Sequence, residues 1–170
     1  LKITDVILTH FHPDHVSGFA LLMMDLWLLG RKTPMRVHGL AHCMERARQM
    51  MNLYDWENWP GFFDITYVDV ASEERAVVAN DDDTCILASP TKHLIPSIGL
   101  RVEFKSSGKT LVYSSDTEPC KAVEKLAAGA VLLLHEASGG GMGHSSAEQA
   151  GMIAERAGVK ILGLIHYPPS

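Results

Sequence analysis

The stretch Thr9-His10-Phe11-His12-Pro13-Asp14-His15 holds three histidines and a carboxylate, and it follows the apolar run Val6-Ile7-Leu8 directly. Such a run indicates a buried strand. Because side chains alternate along an extended chain, the first two histidines are expected to point the same way and to reach one metal ion. The proline then turns the chain, so the aspartate and the third histidine can approach from another direction and hold a second ion. The stretch therefore predicts a metal site at the end of a strand.

Length and composition limit the class of protein. The 170 residues are 46% hydrophobic and 21% charged, which is typical of a globular protein of about one domain. The net charge of −5 provides no basic field and counts against a role based on RNA binding. Three widely spaced cysteines, Cys43, Cys85 and Cys120, predict reduced thiols in a cytoplasmic protein. The most apolar run, residues 19–29, is too short to span a bilayer, so no membrane association is expected.

Periodicity and turn residues predict an alternation of helices and strands. Helices are predicted over residues 16–29, 41–54 and 119–128, and from the capping box Ser145-x-x-Glu148 to residue 157. Strands are predicted over residues 35–38, 63–70, 84–88, 98–104, 110–114, 130–134 and 159–165. The acidic residues 72–83 predict turns. This order predicts an α/β fold with mixed sheets.

Further candidate ligands come just after the later strands. His93 lies in a loop between two strands, Asp116 follows residues 110–114, and His166 follows the last apolar strand. His144 comes after the glycine-rich residues 139–143 and before a helix. Sites in layered α/β folds gather beyond strand ends, so we expect His93, Asp116 and His166 to share the site of the first three histidines.

The pattern His-x-His-x-Asp-His over residues 10–15 resembles the signature of the metallo-β-lactamase superfamily of two-metal hydrolases. The resemblance implies a four-layer αβ/βα sandwich, with residues 1–170 as a single partial domain that lacks the opening strands. It also implies two Zn²⁺ ions, with Mn²⁺ or Fe²⁺ as alternatives. The implied ligands are His10, His12 and His93 for one ion, Asp14, His15 and His166 for the other, and Asp116 as the bridge.

Within the superfamily, four longer motifs are similar to ribonuclease Z, which matures the 3′ end of transfer RNA precursors. The motifs are residues 93–102, Asp116-Thr117-x-Pro119-Cys120, His135-Glu136-Ala137-Ser138 and His144-Ser145-Ser146. This resemblance implies an endonuclease that acts on RNA or on a small phosphodiester, with a homodimer left open. It further implies two catalytic residues: Asp14 would orient the attacking water and receive its proton, and His144 would assist departure of the leaving oxygen.

The sequence departs from the ribonuclease Z pattern in three places. Only 22 residues separate His93 from Asp116, which leaves no room for the long exosite arm that grips transfer RNA in many of these enzymes. The usual Ser-Gly-Asp-Thr has Ser115 in place of glycine, and Tyr167 follows His166 directly, without the usual Arg-Tyr. Two alternatives stay open: a hydrolase of another ester (cyclic nucleotide, sulfate ester, lactone or thioester), and a non-catalytic family member. The complete ligand set argues against the second.

Overall fold

Helices and strands belong to two units of the chain, Leu1–Val70 and Ala71–Ser170, each with its own sheet. The computed structural model describes residues 3–167. No helix within this described part is both long and apolar enough to cross a membrane. Both units combine sheet and helix, as the predicted α/β class requires.

The first unit contains a parallel sheet in the order β1-β2-β3. These strands are Asp5–Leu8, Met35–Leu40 and Ile65–Val70. They are connected by α1 (Pro13–Val16), α2 (Phe19–Leu28), α3 (Ala41–Asn52) and the short 3-10 helix Trp56–Asn58. The predicted helix over residues 16–29 corresponds to α2, which begins at Phe19, directly after Gly18. Glycine is a poor helix former, and α1 is a separate short helix that ends at Val16.

The core of the first unit is built by α2, α3 and β2. Its most deeply buried side chains, each at most 1% exposed, are Met23, Leu26, Met35, Val37, Cys43, Met44, Ala47 and Met51. The flexible methionines fill the irregular space between the helices and the sheet. This packing holds the sheet whose first strand leads into the histidine cluster.

A buried guanidinium stabilises the turn that follows α2. Arg31 is 9% exposed. Its Nη1 donates to the carbonyl oxygen of Ile3 at 2.7 Å, and its Nε and Nη2 donate to those of Thr33 and Pro34, both at 2.8 Å. The same group lies over the ring of Phe63, 5.2 Å from the centroid. One side chain thus links the segment before β1 to the turn before β2.

We expect Arg31→Met to lower the free energy of unfolding by about 2–4 kcal/mol, because three carbonyl oxygens lose a charged donor. Arg31→Lys should retain only part of this stabilisation, since an ammonium group cannot reproduce the planar set of donors of a guanidinium. Urea unfolding followed by circular dichroism measures the difference. The matched control is Arg156→Met at an exposed arginine, and equal stability of the two methionine variants would contradict the assignment.

The second unit contains a six-stranded mixed sheet in the order β4-β5-β6-β7-β8-β9. The strands are Ala76–Asn80, Thr84–Pro90, Ile98–Phe104, Lys109–Tyr113, Leu132–Glu136 and Ile161–Ile165. β4 to β7 pair antiparallel, whereas β7, β8 and β9 run parallel. Helices α4 (Lys121–Ala127) and α5 (Ala147–Arg156) make the parallel connections. The prediction of a mixed sheet is confirmed.

Two details of the second unit differ from the sequence analysis. Residues 76–80 form β4 although turns were predicted there. Ala76 and Val78 are buried, and their packing outweighs the preference of the acidic neighbours for turns. The capping box of α5 is also displaced by one residue: the Ser146 hydroxyl accepts from the Gln149 amide, and the Gln149 side chain accepts from the Ser146 amide. The hydroxyl of Ser145 is not available for this role, since it donates to the Thr117 carbonyl oxygen at 2.7 Å.

Candidate functional site

The first unit carries four of the predicted ligands directly after β1. His10 is completely buried, and its ring centroid lies 5.0 Å from that of His12 and 4.1 Å from that of His15. His12 caps α1 and Pro13 occupies the first turn, so Asp14 and His15 lie at the beginning of this helix. The Asp14 side chain is 60% exposed, with Oδ2 at 3.4 Å from Nε2 of His15. The turn at the proline therefore gathers three imidazole rings beside an accessible carboxylate.

The second unit brings four predicted residues to one edge of its sheet. Asp116 follows β7 and His166 follows β9, and parallel strands present their carboxyl ends at the same edge. The Asp116 carboxylate is 3% exposed, and its oxygens lie 3.6 Å from His166 Nδ1, 3.8 Å from His93 Nε2 and 3.9 Å from His144 Nδ1. These distances are longer than hydrogen bonds. Three imidazoles thus surround one buried carboxylate.

The spacing and chemistry of this group fit a zinc ion. Zinc bonds of about 2.0–2.2 Å place two ligand atoms of one ion at most about 4.3 Å apart. The separation of 3.8 Å between Asp116 and His93 Nε2 falls inside this limit. Asp116, His144 and His166 each offer one ligand atom, and these atoms lie within 4.8 Å of one another. Imidazole nitrogens and carboxylate oxygens are ligands that zinc takes in proteins. The donor set of the second unit is therefore suited to a metal ion.

Hydrogen bonds fix which nitrogen the His93 ring offers. Nδ1 of His93 lies 2.7 Å from the carbonyl oxygen of Gly143. Since a carbonyl oxygen can only accept, Nδ1 carries the proton and Nε2 carries the lone pair. Nε2 is also the atom that faces Asp116. The ring is oriented with its metal-binding nitrogen toward the carboxylate, as is usual for metal-ligating histidines.

The same argument applies to His166, whose partner is Ser138. The Ser138 hydroxyl donates to the His166 carbonyl oxygen at 2.8 Å, so its oxygen accepts from His166 Nδ1 at 2.6 Å. Nε2 of His166 is then the nitrogen with the lone pair. His166 also has a left-handed backbone with φ of 51°. Non-glycine residues adopt this conformation at a cost, and such strain is typical of functional sites.

The backbone conformation of Ser115 explains why the ribonuclease Z pattern has glycine at this position, and a hydrogen bond shows how serine is accommodated. Its φ of 55° lies in the left-handed region that glycine adopts freely, and the usual motif has glycine at this position. The Ser115 hydroxyl lies 3.1 Å from the hydroxyl of Ser97, which is buried. This hydrogen bond offsets part of the cost of a side chain at the residue before Asp116.

Sequence reasoning assigned no role to Glu136, which is 1% exposed at the end of β8. Its Oε1 accepts from the amides of Thr117 and Ser145 at 3.1 and 3.0 Å, and its Oε2 accepts from the amide of Ser138 at 2.9 Å. Oε1 also lies 3.1 Å from Nδ1 of His144. One carboxylate therefore holds three loops of the site in place. The available signal was a charged residue at the end of an apolar strand, a position where burial requires partners.

The contact with Glu136 sets the role that His144 can play. Because the carboxylate accepts, Nδ1 of His144 donates, and Nε2 is the nitrogen that can exchange a proton with a substrate. The His144 side chain is 25% exposed, so this nitrogen remains accessible. The ring centroid lies 5.0 Å from that of His93 and 5.8 Å from that of His166. His144 is thus placed among the candidate ligands, and its chemistry admits both proton transfer and metal binding.

The neighbouring His135 is a buried residue with a perturbed pKa. Its Nδ1 donates to the carbonyl oxygen of Glu136 at 2.8 Å, and within residues 3–167 its Nε2 has no hydrogen-bond partner. Burial lowers the pKa of His135 from its ordinary value of 6.5, which the contacts with Glu136 oppose. The ring is accordingly neutral in the folded protein at pH 7.

We expect the stability of the protein to fall as the pH decreases below about 6.5, the ordinary histidine pKa. In this window the unfolded chain takes up a proton on His135 whereas the folded chain does not, until the lower folded pKa is reached. His135→Gln keeps a donor and does not titrate, so the free energy of unfolding of the two proteins should diverge by up to about 1.4 kcal/mol per pH unit. Urea unfolding between pH 8 and pH 5.5 tests this. Identical pH dependence in both proteins would disprove it.

Comparison with known proteins agrees with this geometry. The family model described as "Beta-lactamase superfamily domain" matches residues 1–167. Ribonuclease Z from Mycolicibacterium gilvum is 30% identical over 201 residues, which cover 99% of this chain and 67% of that protein. Ribonuclease Z from Methanothermobacter thermautotrophicus is 24% identical over 221 residues, which cover 98% of this chain and 70% of that protein. The chain spans about two thirds of the length of these curated relatives.

Solved structures show the same fold. Human tRNase Z, short form, superimposes with a TM-score of 0.77 at 24% identity, covering 98% of this chain and 73% of that chain. The metallo-β-lactamase fold protein YhfI from Bacillus subtilis gives a TM-score of 0.76 at 20% identity, covering 99% and 66%. At these identities the likeness is one of fold. The chain therefore belongs to the β-lactamase superfamily, has its metallo-β-lactamase fold, and is a ribonuclease Z-like member of this family of hydrolases.

Proposed function

We propose that the protein is a zinc-dependent phosphodiesterase that cleaves RNA, like the ribonucleases Z to which its sequence is similar. The observation that supports this most directly is the buried carboxylate of Asp116, which His93 Nε2 faces at 3.8 Å and which the rings of His144 and His166 flank. Carboxylate oxygens and neutral imidazoles are ligands that zinc takes in proteins. Such a centre is suited to hydrolysis of a charged ester.

The proposal treats residues 1–170 as one domain in which both units contribute ligands. It takes the ligand assignment from the family pattern, and it requires two Zn²⁺ ions. His10, His12 and His93 would hold one ion, Asp14, His15 and His166 the other, and Asp116 would bridge them. Neutral imidazoles suit zinc, and a bridging carboxylate offsets the repulsion of two dications.

The zinc ions would supply a water of lowered pKa, near 7, and stabilise negative charge on the phosphate. Asp14, which is exposed on α1, would orient this water and accept its proton. Nε2 of His144 would give a proton to the leaving oxygen, while Glu136 holds Nδ1 and stabilises the imidazolium form. Glu136 acts through His144, so it is a positioning residue.

A smaller phosphodiester is the second candidate substrate. The residues between His93 and Asp116 contain a tight hairpin. Its strands β6 (Ile98–Phe104) and β7 (Lys109–Tyr113) pair antiparallel, with Phe104 opposite Lys109. Most of this segment forms two strands of the sheet, and it contains no long arm of the kind expected of many ribonucleases Z. Together with the net charge of −5, the hairpin favours a short substrate over a large folded RNA.

The decisive experiment combines metal analysis with a substrate panel. We expect the purified full-length protein to contain two equivalents of zinc and to hydrolyse bis-p-nitrophenyl phosphate. Cleavage of a transfer RNA precursor at its 3′ side would support the RNA substrate, and activity on a cyclic nucleotide or dinucleotide alone would support the second candidate. Turnover of a thioester or a β-lactam, without any phosphodiester cleavage, would refute both.

Two expectations from the sequence accompany this proposal. An RNA substrate and reduced cysteines are consistent with a cytoplasmic location, which fractionation of the source cells would test. Sedimentation equilibrium of the full-length protein would establish whether it forms a homodimer.

A further inference from the structure

Gly143 occupies a position in the second unit that only glycine fits. Its φ is 83°, in the left-handed region. A Cβ at this residue would lie 2.9 Å from Nδ1 of His93 and 2.9 Å from Cγ of Leu94. The backbone of Gly143 therefore lies directly against the His93 ring, and its carbonyl oxygen accepts the hydrogen bond that orients this ring.

The other side of Gly143 is held by Glu118. Its Oε1 accepts from the Gly143 amide at 3.1 Å, and its Oε2 forms an ion pair with Lys92 Nζ at 2.5 Å. The backbone of Glu118 is itself fixed, because its amide donates to the Lys92 carbonyl oxygen at 2.7 Å in an isolated antiparallel bridge. Glu118 thus connects the segment of His93 to the glycine-rich loop.

This arrangement links three residues of the candidate site through one residue, Gly143. Glu118 lies two positions after Asp116, its partner Lys92 precedes His93, and Gly143 precedes His144. The Gly143 carbonyl fixes the tautomer of the ring of His93, and the Gly143 amide fixes where the chain enters His144. Displacement of the Gly143 backbone would disturb both histidines at once.

We propose that Glu118 is a positioning residue which, by holding the Gly143 amide, sets the metal-binding orientation of His93 and the placement of His144. The inference rests on the proposed function for its catalytic consequence. Its structural part, control of the Gly143 peptide and of metal affinity, can be measured without a substrate.

The competing explanation is that Glu118 serves only the ion pair with Lys92. Exposed ion pairs contribute little to stability, and the Lys92 side chain is 64% exposed. The two roles use different oxygens and can be separated by substitution. Glu118→Ala removes both contacts, Glu118→Gln retains an oxygen that accepts from the Gly143 amide, and Lys92→Met removes only the ion pair.

We expect Glu118→Ala to speed hydrogen exchange of the Gly143 amide by roughly fivefold or more, as loss of one hydrogen bond implies. Zinc affinity should weaken by about 10–100-fold, the usual effect of removing a group that orients a ligand. On a phosphodiester substrate kcat should fall while KM stays nearly constant, because the altered groups act on the reaction. Glu118→Gln and Lys92→Met should resemble the unsubstituted protein in all three measurements.

Two results would overturn the proposal. One is a Glu118→Ala variant whose Gly143 amide exchange and zinc affinity equal those of the unsubstituted protein. The other is a Lys92→Met variant that loses as much protection and zinc affinity as Glu118→Ala. Far-ultraviolet circular dichroism confirms that each variant is folded. If the unsubstituted protein cleaves no phosphodiester but Glu118→Ala changes exchange and zinc affinity, the proposed function fails and the positioning role of Glu118 stands. If the unsubstituted protein cleaves a phosphodiester but Glu118→Ala leaves exchange and zinc affinity unchanged, the positioning role of Glu118 fails and the proposed function stands.

Discussion

Asp116→Ala is expected to lose zinc and phosphodiesterase turnover together. The carboxylate is the only predicted ligand that the proposal assigns to both ions, and three imidazole rings face it. In the proposed centre, its removal would leave the two dications without the bridging negative charge that offsets their repulsion. We expect turnover to fall by more than about 100-fold, beyond the cost of losing a residue that only supports a ligand. Zinc analysis by mass spectrometry and initial rates on bis-p-nitrophenyl phosphate provide the two measurements.

A matched aspartate provides the control for this substitution. Asp82→Ala removes an exposed carboxylate from the acidic turn before β5, and both zinc content and turnover should remain unchanged. Asp116→Asn adds a finer test, because asparagine keeps the size of the side chain but not its charge. Two equivalents of zinc and full turnover in Asp116→Ala would show that the bridging assignment is wrong.

His144→Ala is expected to slow cleavage of substrates with poor alkoxide leaving groups by roughly 10²–10⁴-fold, the usual range for a general acid. A p-nitrophenolate leaves without protonation, so hydrolysis of bis-p-nitrophenyl phosphate should be scarcely affected. The placement of Nδ1 against Glu136 and the accessible Nε2 are the structural basis for this difference. Rates on an alkyl phosphodiester or RNA substrate, divided by rates on the p-nitrophenyl ester, measure it.

The ligand atoms of His144 make zinc content an essential companion measurement. This residue shares a potential metal cluster with Asp116 and His166. Loss of zinc in His144→Ala would assign it to the ligands, and equal losses of rate on both substrates would remove it from the acid role. Retained zinc with a rate loss confined to poor leaving groups is the result that the proposal requires.

The sequence predicted most of the strands in the second unit because each is a short apolar run between turn residues. β6 agrees with its predicted bounds, and the other predicted strands differ by a few residues at their ends. β4 was missed because its apolar run, residues 76–79, is short and lies between acidic residues, so that pairing with β5 decides its conformation. The cap of α5 was displaced because the tertiary contact between Ser145 and the Thr117 carbonyl could not be read from the local pattern.

The candidate ligands could be proposed from their residue types, whereas the residues that hold them in place could not. Histidines and aspartates at strand ends suggest metal binding by their chemistry alone. Glu136, Ser138 and Gly143 act through hydrogen bonds to backbone groups or to a ring nitrogen. Such contacts depend on loop geometry, which neither composition nor spacing specifies. In the sequence, Glu118 resembles an ordinary surface charge for the same reason.

The mixed sheet of the second unit has a consequence for the order of events during folding. Its antiparallel strands β4 to β7 pair between neighbours in the sequence, whereas the parallel pairs β7–β8 and β8–β9 enclose a helix and a longer loop. Closing these longer loops costs more chain entropy, so the hairpins are expected to form first. Pulse-labelled hydrogen exchange during refolding would test this, and protection of β9 before β6 would exclude it. Tight metal binding by the second unit would then be acquired late, when β9 docks beside β8 and brings His166 to the sheet edge.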